Sequence, residues 1–158
     1  YRDLKQLDER VRELDQEVAA ITREHEPVRR LMQINGVGPL IASALYALVG
    51  DARQYRNGRD LAVALGLTPR QHSSGGKEKL LGISKRGDKY VRTLLIHGAR
   101  SALRTAPSRT DRISRWALAL AERSHPNVAV TALANKTARV AWAMLRHGTN
   151  YEPGGVVT

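Results

Sequence analysis

The chain has 158 residues, contains no cysteine, and carries 26 Lys and Arg side chains against 15 Asp and Glu. Disulfide bonds and thiolate metal sites are therefore excluded, which fits a reducing cytoplasm, and no apolar run is long enough to cross a bilayer. Residues 1–35 hold seven basic and eight acidic side chains, whereas residues 36–158 hold 19 and 7, a net charge of +12. A region this positive favours a polyanionic partner, nucleic acid first, over a solvated basic surface, and no membrane partner is expected.

The first 33 residues are predicted to form a coiled-coil oligomerisation helix. Apolar positions alternate at spacings of three and four, the pattern of a heptad seam. The seam consists of Leu4, Leu7, Val11, Leu14, Val18, Ile21, His25 and Val28. We expect a homodimer through residues 4–28, with an antiparallel partner from another part of the same protein as the alternative. The chain opens on Tyr1 within the helical pattern, so it is expected to be a fragment.

A glycine turn follows this helix. The order of residues from Ile34 to Ala42 is apolar, Asn, Gly, Val, Gly and Pro, then a new apolar run. Gly36 and Gly38 permit a tight turn, and Pro39 suits the first turn of a helix. This pattern predicts a helix-hairpin-helix whose free amides, including that of Val37, bind a DNA phosphate without reading the base. The alternative is a helical corner without a ligand.

The fold class is predicted to be all-α, a long coiled-coil helix followed by a compact helical domain at 34–148. Helices are expected at about 39–50, 59–65, 87–103, 110–123 and 128–146, from apolar periodicity and the Gly and Pro residues that bound them. Residues 68–88 lack periodicity and are predicted to form a loop. Residues 149–158 are predicted to be a flexible tail.

The predicted loop combines hydroxyls with cations. Ser73 and Ser74 precede two glycines. The segment from Gly66 to Arg104 contains nine basic residues and only two acidic ones. The candidate nucleic-acid contacts among the cations are Arg70, Lys77, Lys79, Lys85, Arg86, Lys89 and Arg92. Cations lower the cost of charge that develops when a hydroxyl attacks a phosphodiester, but the serine needs a base. His72 is a candidate base or a plain polar residue, and the absence of a complete phosphate-loop pattern disfavours an ATPase.

Taken together, these motifs resemble the C-terminal domain of the Piv-like bacterial insertion-sequence transposases, the insertion-sequence one-ten family. The resemblance covers most of residues 31–148. It is carried by Ile34–Ala42, Leu65–Pro69, Ser73–Gly75, Gly82–Asp88, Val91–Arg92, Leu94–Leu95, Ala132–Lys136 and Ala138–Trp142. It implies a bacterial, DNA-associated transposase or site-specific recombinase with Ser74 as the nucleophile, although the adjacent Ser73 is not distinguished from it.

The same resemblance implies binding partners for this chain and a further domain in the complete protein. The family pattern has an N-terminal RuvC-like domain with four acidic metal ligands, so Mg²⁺ is expected there. This chain lacks that pattern, is expected to hold no metal or cofactor, and is expected to be inactive alone. Strand exchange by a dimer or tetramer and binding of a structured guide RNA are also implied. The alternatives are a non-catalytic helix-hairpin-helix module that binds DNA or RNA and dimerises, or an oligomerisation piece that binds the guide RNA.

Overall fold

The computed structural model describes the backbone of residues 2–74 and 77–154, and the side chains of these ranges except those of residues 71–80. Its helices are α1 (Arg2–Glu24), α2 (Glu26–Leu31), α3 (Pro39–Val49), α4 (Gly58–Ala64), α5 (Lys89–Thr105), α6 (Arg112–Arg123) and α7 (Pro126–His147). The all-α prediction is confirmed, including the long first helix. Within the described residues, no helix is both long and apolar enough to cross a membrane.

Local sequence explains where the helices begin. The side chains of Asn57, Asp88 and Asp111 each accept a hydrogen bond from a first-turn amide of α4, α5 and α6, respectively. Such caps satisfy amides that have no partner inside the helix. The helices pack around one core in which α7 contacts α4, α5 and α6. Leu45 of α3 and Leu95 of α5 are almost fully buried in this core.

The first helix is interrupted before the predicted end of the seam. α1 ends at Glu24, and α2 begins at Glu26 after His25 adopts an extended conformation. Pro27 explains the break, because proline has no amide proton to donate to the carbonyl of Arg23, four residues earlier. The Arg29 Nη1 atom instead donates to this carbonyl at 3.4 Å. Beyond the break, Val28 belongs to the buried core, so this position is not available to a coiled-coil partner.

The prediction of a loop at residues 68–88 is wrong for most of this segment. β1 (Pro69–Ser74) pairs antiparallel with β2 (Lys77–Ile83), with an irregularity between Pro69 and Gln71. These strands are largely polar and lack the alternation of apolar residues that marks a half-buried strand. The sequence signal for the hairpin is Gly75-Gly76, the two-residue linker between the paired segments.

The prediction of a flexible tail does not hold for its first residues. The amide of Tyr151 donates to the Gln33 Oε1 atom at 2.8 Å, and the Tyr151 side chain packs on the core. The Arg30 guanidinium group also donates to the carbonyl of Gly148, just after α7. The chain after α7 is therefore attached to the end of α2, and residues 155–158 lie outside the described part.

Candidate nucleic-acid interface

The glycine turn is held in place by direct backbone contact with α5. Gly36 has a φ of +82°, and a Cβ atom built on it would lie 2.2 Å from the carbonyl oxygen of Gly98. A Cβ atom on Gly98 would in turn lie 2.3 Å from the carbonyl oxygen of Gly36. Both positions exclude a side chain, so the two glycines fix the turn against the middle of α5.

Gly38 differs from Gly36 because the fold does not require a glycine there. Its φ of −87° and ψ of 179° are open to other residues, and no atom lies within 4 Å of a Cβ built on it. It precedes Pro39 at the start of α3, and no side chain caps this helix end. The amide of Val37, predicted to be free for a phosphate, instead donates to the carbonyl of Ile34 at 3.0 Å, because the turn closes on itself. Pro39 has no amide proton, so the first amides of α3 that could receive a phosphate are those of Leu40 and Ile41.

The base of the β-hairpin is fixed to the end of α4 by backbone contacts. The amide of Ser84 donates to the carbonyl of Thr68 at 2.8 Å, and the amide of Lys85 donates to the carbonyl of Gly66 at 3.1 Å. A Cβ atom on Gly87, whose φ is +126°, would lie 1.9 Å from the carbonyl oxygen of Ala64. These contacts anchor the hairpin at its base, where α5 begins.

Both candidate serines lie at the end of the hairpin that is distant from this base. Ser73 pairs with Glu78 in the strand register, and Ser74 pairs with Lys77 in the last pair before the turn. The side chains of both serines, and of His72, Lys77 and Lys79, lie outside the described residues. The backbone therefore presents Ser73 about 13 Å and Ser74 about 17 Å from Pro69, at about 3.3 Å per strand residue.

Exposed cations surround the start of α5. Lys85, Arg86 and Lys89 are exposed, and so is Arg70 on β1. Among the described side chains, none of these four forms an ion pair with a carboxylate. These four cations are exposed, as contact with a polyanion requires, and their role as nucleic-acid contacts stays a prediction.

The face of α5 opposite the glycine turn carries exposed cations. Lys89 lies in the first turn of this helix and is exposed, whereas Gly98, which contacts the glycine turn, is buried. Arg100 and Arg104 continue this face and are exposed. These two arginines belong to the local charge excess between Gly66 and Arg104, although they are not among the cations predicted as contacts. Helical periodicity places them, with Lys89, away from the buried positions of α5.

Arg92 is not part of the exposed surface, contrary to the sequence prediction. Its side chain is 8% exposed, and its Nη1 atom donates to the carbonyls of Leu65, Gly87 and Asp88 at 3.1, 3.4 and 3.5 Å. The guanidinium group thus joins the end of α4 to the start of α5. It stabilises the base of the hairpin and is not available to a phosphate.

We expect Arg92→Met to lower the free energy of unfolding by about 2–3 kcal/mol, because the carbonyl of Leu65 loses a charged donor in a buried bond and those of Gly87 and Asp88 lose it in partly buried bonds. Lys89→Met is the matched control, since Lys89 is exposed, and should change stability by less than about 0.5 kcal/mol. Urea denaturation of both variants measures the difference. If both variants were equally stable and Arg92→Met bound DNA more weakly, Arg92 would instead belong with the exposed cations that contact nucleic acid.

A metal site is not found in the part of the chain that the structure describes. No group of three or more His, Asp or Glu side chains is close enough there to hold a metal ion. Mg²⁺ prefers carboxylate and water oxygens in octahedral geometry, and the described acidic residues do not supply such a set.

This basic all-α domain, with its glycine turn and anchored hairpin, matches a family of transposases. The family described as "Transposase IS116/IS110/IS902 family" matches residues 28–114. The chain is 49% identical, over 96% of its length, to a "Probable family 20 transposase" of Pseudomonas aeruginosa and covers 45% of that protein. It is 47% identical, over 98% of its length, to the "Transposase for insertion sequence element IS1111A" of Coxiella burnetii and covers 42% of it.

A third relative gives the same result. The chain is 41% identical, over 90% of its length, to the "Transposase for insertion sequence element IS1328" of Yersinia enterocolitica and covers 43% of that protein. The chain therefore belongs to the IS116/IS110/IS902 transposase family. It spans less than half of the length of these three relatives.

Proposed function

We propose that this chain is the DNA-binding half of a transposase and supplies the serine nucleophile for strand cleavage and rejoining. The observation that carries this proposal is the β-hairpin. Its far end holds two adjacent serine positions, with Lys77 opposite Ser74 in the strand register, and its base is fixed by backbone contacts. A nucleophile on an anchored element near positive charge is the arrangement that phosphoryl transfer needs.

The proposed reaction is a transesterification. The Ser74 Oγ atom attacks the phosphorus of a DNA phosphodiester, the serine proton passes to a base, and a P–O bond to deoxyribose breaks. The departing deoxyribose oxygen takes up a proton and becomes a hydroxyl group. Because the new serine–phosphate ester replaces the broken ester, a strand hydroxyl can later reverse the step without ATP. His72 remains a candidate for the base, and Ser73 remains an alternative nucleophile.

The metal is proposed to come from a part of the complete protein that lies outside this chain. The resemblance implies an acidic RuvC-like domain, and the chain covers less than half of its relatives' length. Mg²⁺ bound there would stabilise negative charge on the phosphate. We assign no step to the metal here, and we expect this chain alone not to cut DNA.

The test of the proposed function is detection of the covalent intermediate. A full-length transposase containing this chain is incubated with a nicked or strand-trapped DNA, digested with protease and analysed by mass spectrometry. We expect a peptide that includes Ser73 and Ser74 and carries a nucleotide, with fragmentation identifying the modified oxygen. A rearranged DNA product without any peptide–nucleotide adduct would contradict the proposal.

The remaining contacts are proposed to position the nucleic acid. The first free amides of α3, those of Leu40 and Ile41, and the exposed face of α5 would hold phosphates, because neither feature offers base-specific chemistry. A structured guide RNA is proposed as a second polyanion for the same basic region. The phosphate backbone is common to both, so binding to either should weaken as salt rises.

The exposed seam of α1 is proposed to form a homodimer, with a tetramer as a higher assembly. Leu7, Val11 and Leu14 are 64%, 55% and 43% exposed in the single chain, although their spacing is that of a coiled-coil core. Because Thr22 and Val28 are buried within the same chain, we limit the proposed interface to the part of α1 before Thr22.

We expect Leu7→Glu with Leu14→Glu to convert the dimer to a monomer, because charges at facing seam positions repel and are desolvated. Light scattering measures the mass of the chain. Gln16→Glu, which adds charge at an exposed position outside the seam, is the control and should remain dimeric. A double variant that keeps the wild-type mass would contradict the interface.

A further inference from the structure

A groove lies beside the base of the hairpin, between β2 and the helices α6 and α7. It has a volume of about 400 Å³, and the hairpin side of its wall includes Leu67, Pro69 and Ile83. The helix side includes Trp116 and Val128. Two large apolar side chains lie at this site with much of their surface in solvent, Leu81 at 38% and Val128 at 52% exposure.

Cations without carboxylate partners line the same groove. Lys136 and Arg139 belong to its wall, and none of its lining residues is Asp or Glu. Neither cation forms an ion pair among the described residues. The Lys136 Nζ atom instead lies 4.8 Å from the centre of the Trp116 ring. A partly buried charge without a counterion is costly, so the groove favours an anionic ligand.

Electrostatics at Lys136 agree with this interpretation. Burial lowers the pKa of Lys136, and the neighbouring guanidinium groups of Arg139 and Arg112 lower it further. Arg139 and Arg112 thus both repel the Lys136 ammonium group, which lies on the wall of the groove. An anion placed there would relieve the repulsion and would replace part of the lost hydration.

The groove combines an apolar wall and an aromatic ring with an adjacent basic edge, which matches the parts of a nucleotide. A base has a flat π face that stacks on aromatic side chains, and its phosphate pairs with Lys or Arg. The amide of Asn135 lies on the same wall, and its Nδ2 atom donates to the carbonyl of Leu67 at 3.1 Å. A purely apolar peptide would leave the charges of Lys136 and Arg139 unpaired.

We infer that this groove binds one unpaired nucleotide of a DNA strand, with the base beside Trp116 and the phosphate beside Lys136 and Arg139. This inference rests on the proposed function, because strand exchange separates a strand from its complement near the reacting phosphate. Pro69, on the groove wall, is about 17 Å along β1 from Ser74. That distance equals about five base steps of a duplex at 3.4 Å per step.

The test compares two DNA duplexes that differ only in pairing. The 158-residue chain is titrated by fluorescence anisotropy with a fully paired duplex and with the same duplex carrying a three-thymidine flap. We expect wild type to bind the flap duplex at least about fivefold more tightly, since stacking of one base contributes at least that much. Lys136→Gln and Trp116→Leu should each reduce this ratio to about one.

Controls separate the groove from general charge effects. Arg115→Gln removes an exposed cation of α6 and should leave the affinity ratio unchanged. Arg139→Gln is the second groove variant if Trp116→Leu fails to give a cooperative thermal transition. A ratio of one for wild type, or a ratio that Lys136→Gln leaves unchanged, would overturn the inference.

Other outcomes identify other occupants. Tighter binding of a ribonucleotide flap than of the thymidine flap would overturn the assignment to DNA. A change in mass by light scattering for Trp116→Leu, with the DNA ratio intact, would make the groove a protein contact and the inference wrong. If wild type binds neither duplex, the proposed DNA-binding function itself fails, which is distinct from binding both duplexes equally.

Discussion

Replacing Ser74 with Ala is expected to reduce strand joining by the full-length transposase at least about a thousandfold, because the nucleophile itself is lost. DNA affinity should change by less than about twofold, since one neutral hydroxyl contributes little beside the phosphate contacts of many cations. Single-turnover assays on a strand-trapped DNA measure the first quantity, and anisotropy with the same DNA measures the second.

Ser73→Ala is the matched control for this experiment. The two serines occupy neighbouring register positions, opposite Glu78 and Lys77, so each variant removes one hydroxyl from the same end of the hairpin. We expect Ser73→Ala to keep strand joining within about tenfold of wild type. The opposite result, loss only in Ser73→Ala, would transfer the nucleophile to Ser73 and leave the chemistry intact.

Parallel loss of binding and joining would instead favour a non-catalytic module. In that case the serines would act by hydrogen bonding to phosphates, and the covalent step would belong to another part of the protein. Retention of joining by the Ser73→Ala/Ser74→Ala double variant would exclude both serines as nucleophiles. The measurements thus separate binding from chemistry at two neighbouring positions.

The helical elements could be predicted because their signals are local. Caps such as Asp88 and Asp111 and apolar periodicity lie within one segment, and the structure places α5 and α6 within two residues of the predicted starts. The break at His25 was missed because the seam pattern continues through it, although Pro27 removes a helical hydrogen bond. Apolar spacing alone therefore overestimated the continuous length of the first helix.

The candidate site required contacts between segments that are distant in sequence. In the sequence, Arg92 looks like any other cation of a basic stretch. In the structure its side chain is buried and donates to the carbonyls of Leu65 and Asp88. The hairpin was missed because polar strands give no apolar alternation, and its base is fixed by backbone contacts at Gly66 and Gly87. The groove is likewise assembled from residues 67–139, and no local motif marks it.

Substitution of the two glycines of the turn is expected to destabilise the fold to very different extents. Gly36→Ala should lower the free energy of unfolding by about 3 kcal/mol or more, because it combines a positive φ with a backbone clash. The clash is with the carbonyl oxygen of Gly98, 2.2 Å from the added Cβ atom. Gly38→Val should cost about 1 kcal/mol or less, since an extended residue in open space accepts a side chain.

Their effects on DNA binding separate fold from phosphate contact. Gly38→Val fills the approach to the first amides of α3, so we expect about tenfold weaker binding, equal across DNA sequences, in a chain that remains folded. Urea denaturation and anisotropy at several salt concentrations measure both quantities. Wild-type affinity in Gly38→Val would remove the turn from the interface, and a change in sequence preference would contradict contact through phosphate alone. Wild-type stability of Gly36→Ala would show that the turn does not rest on α5, because no side chain fits between the two backbones in the present arrangement.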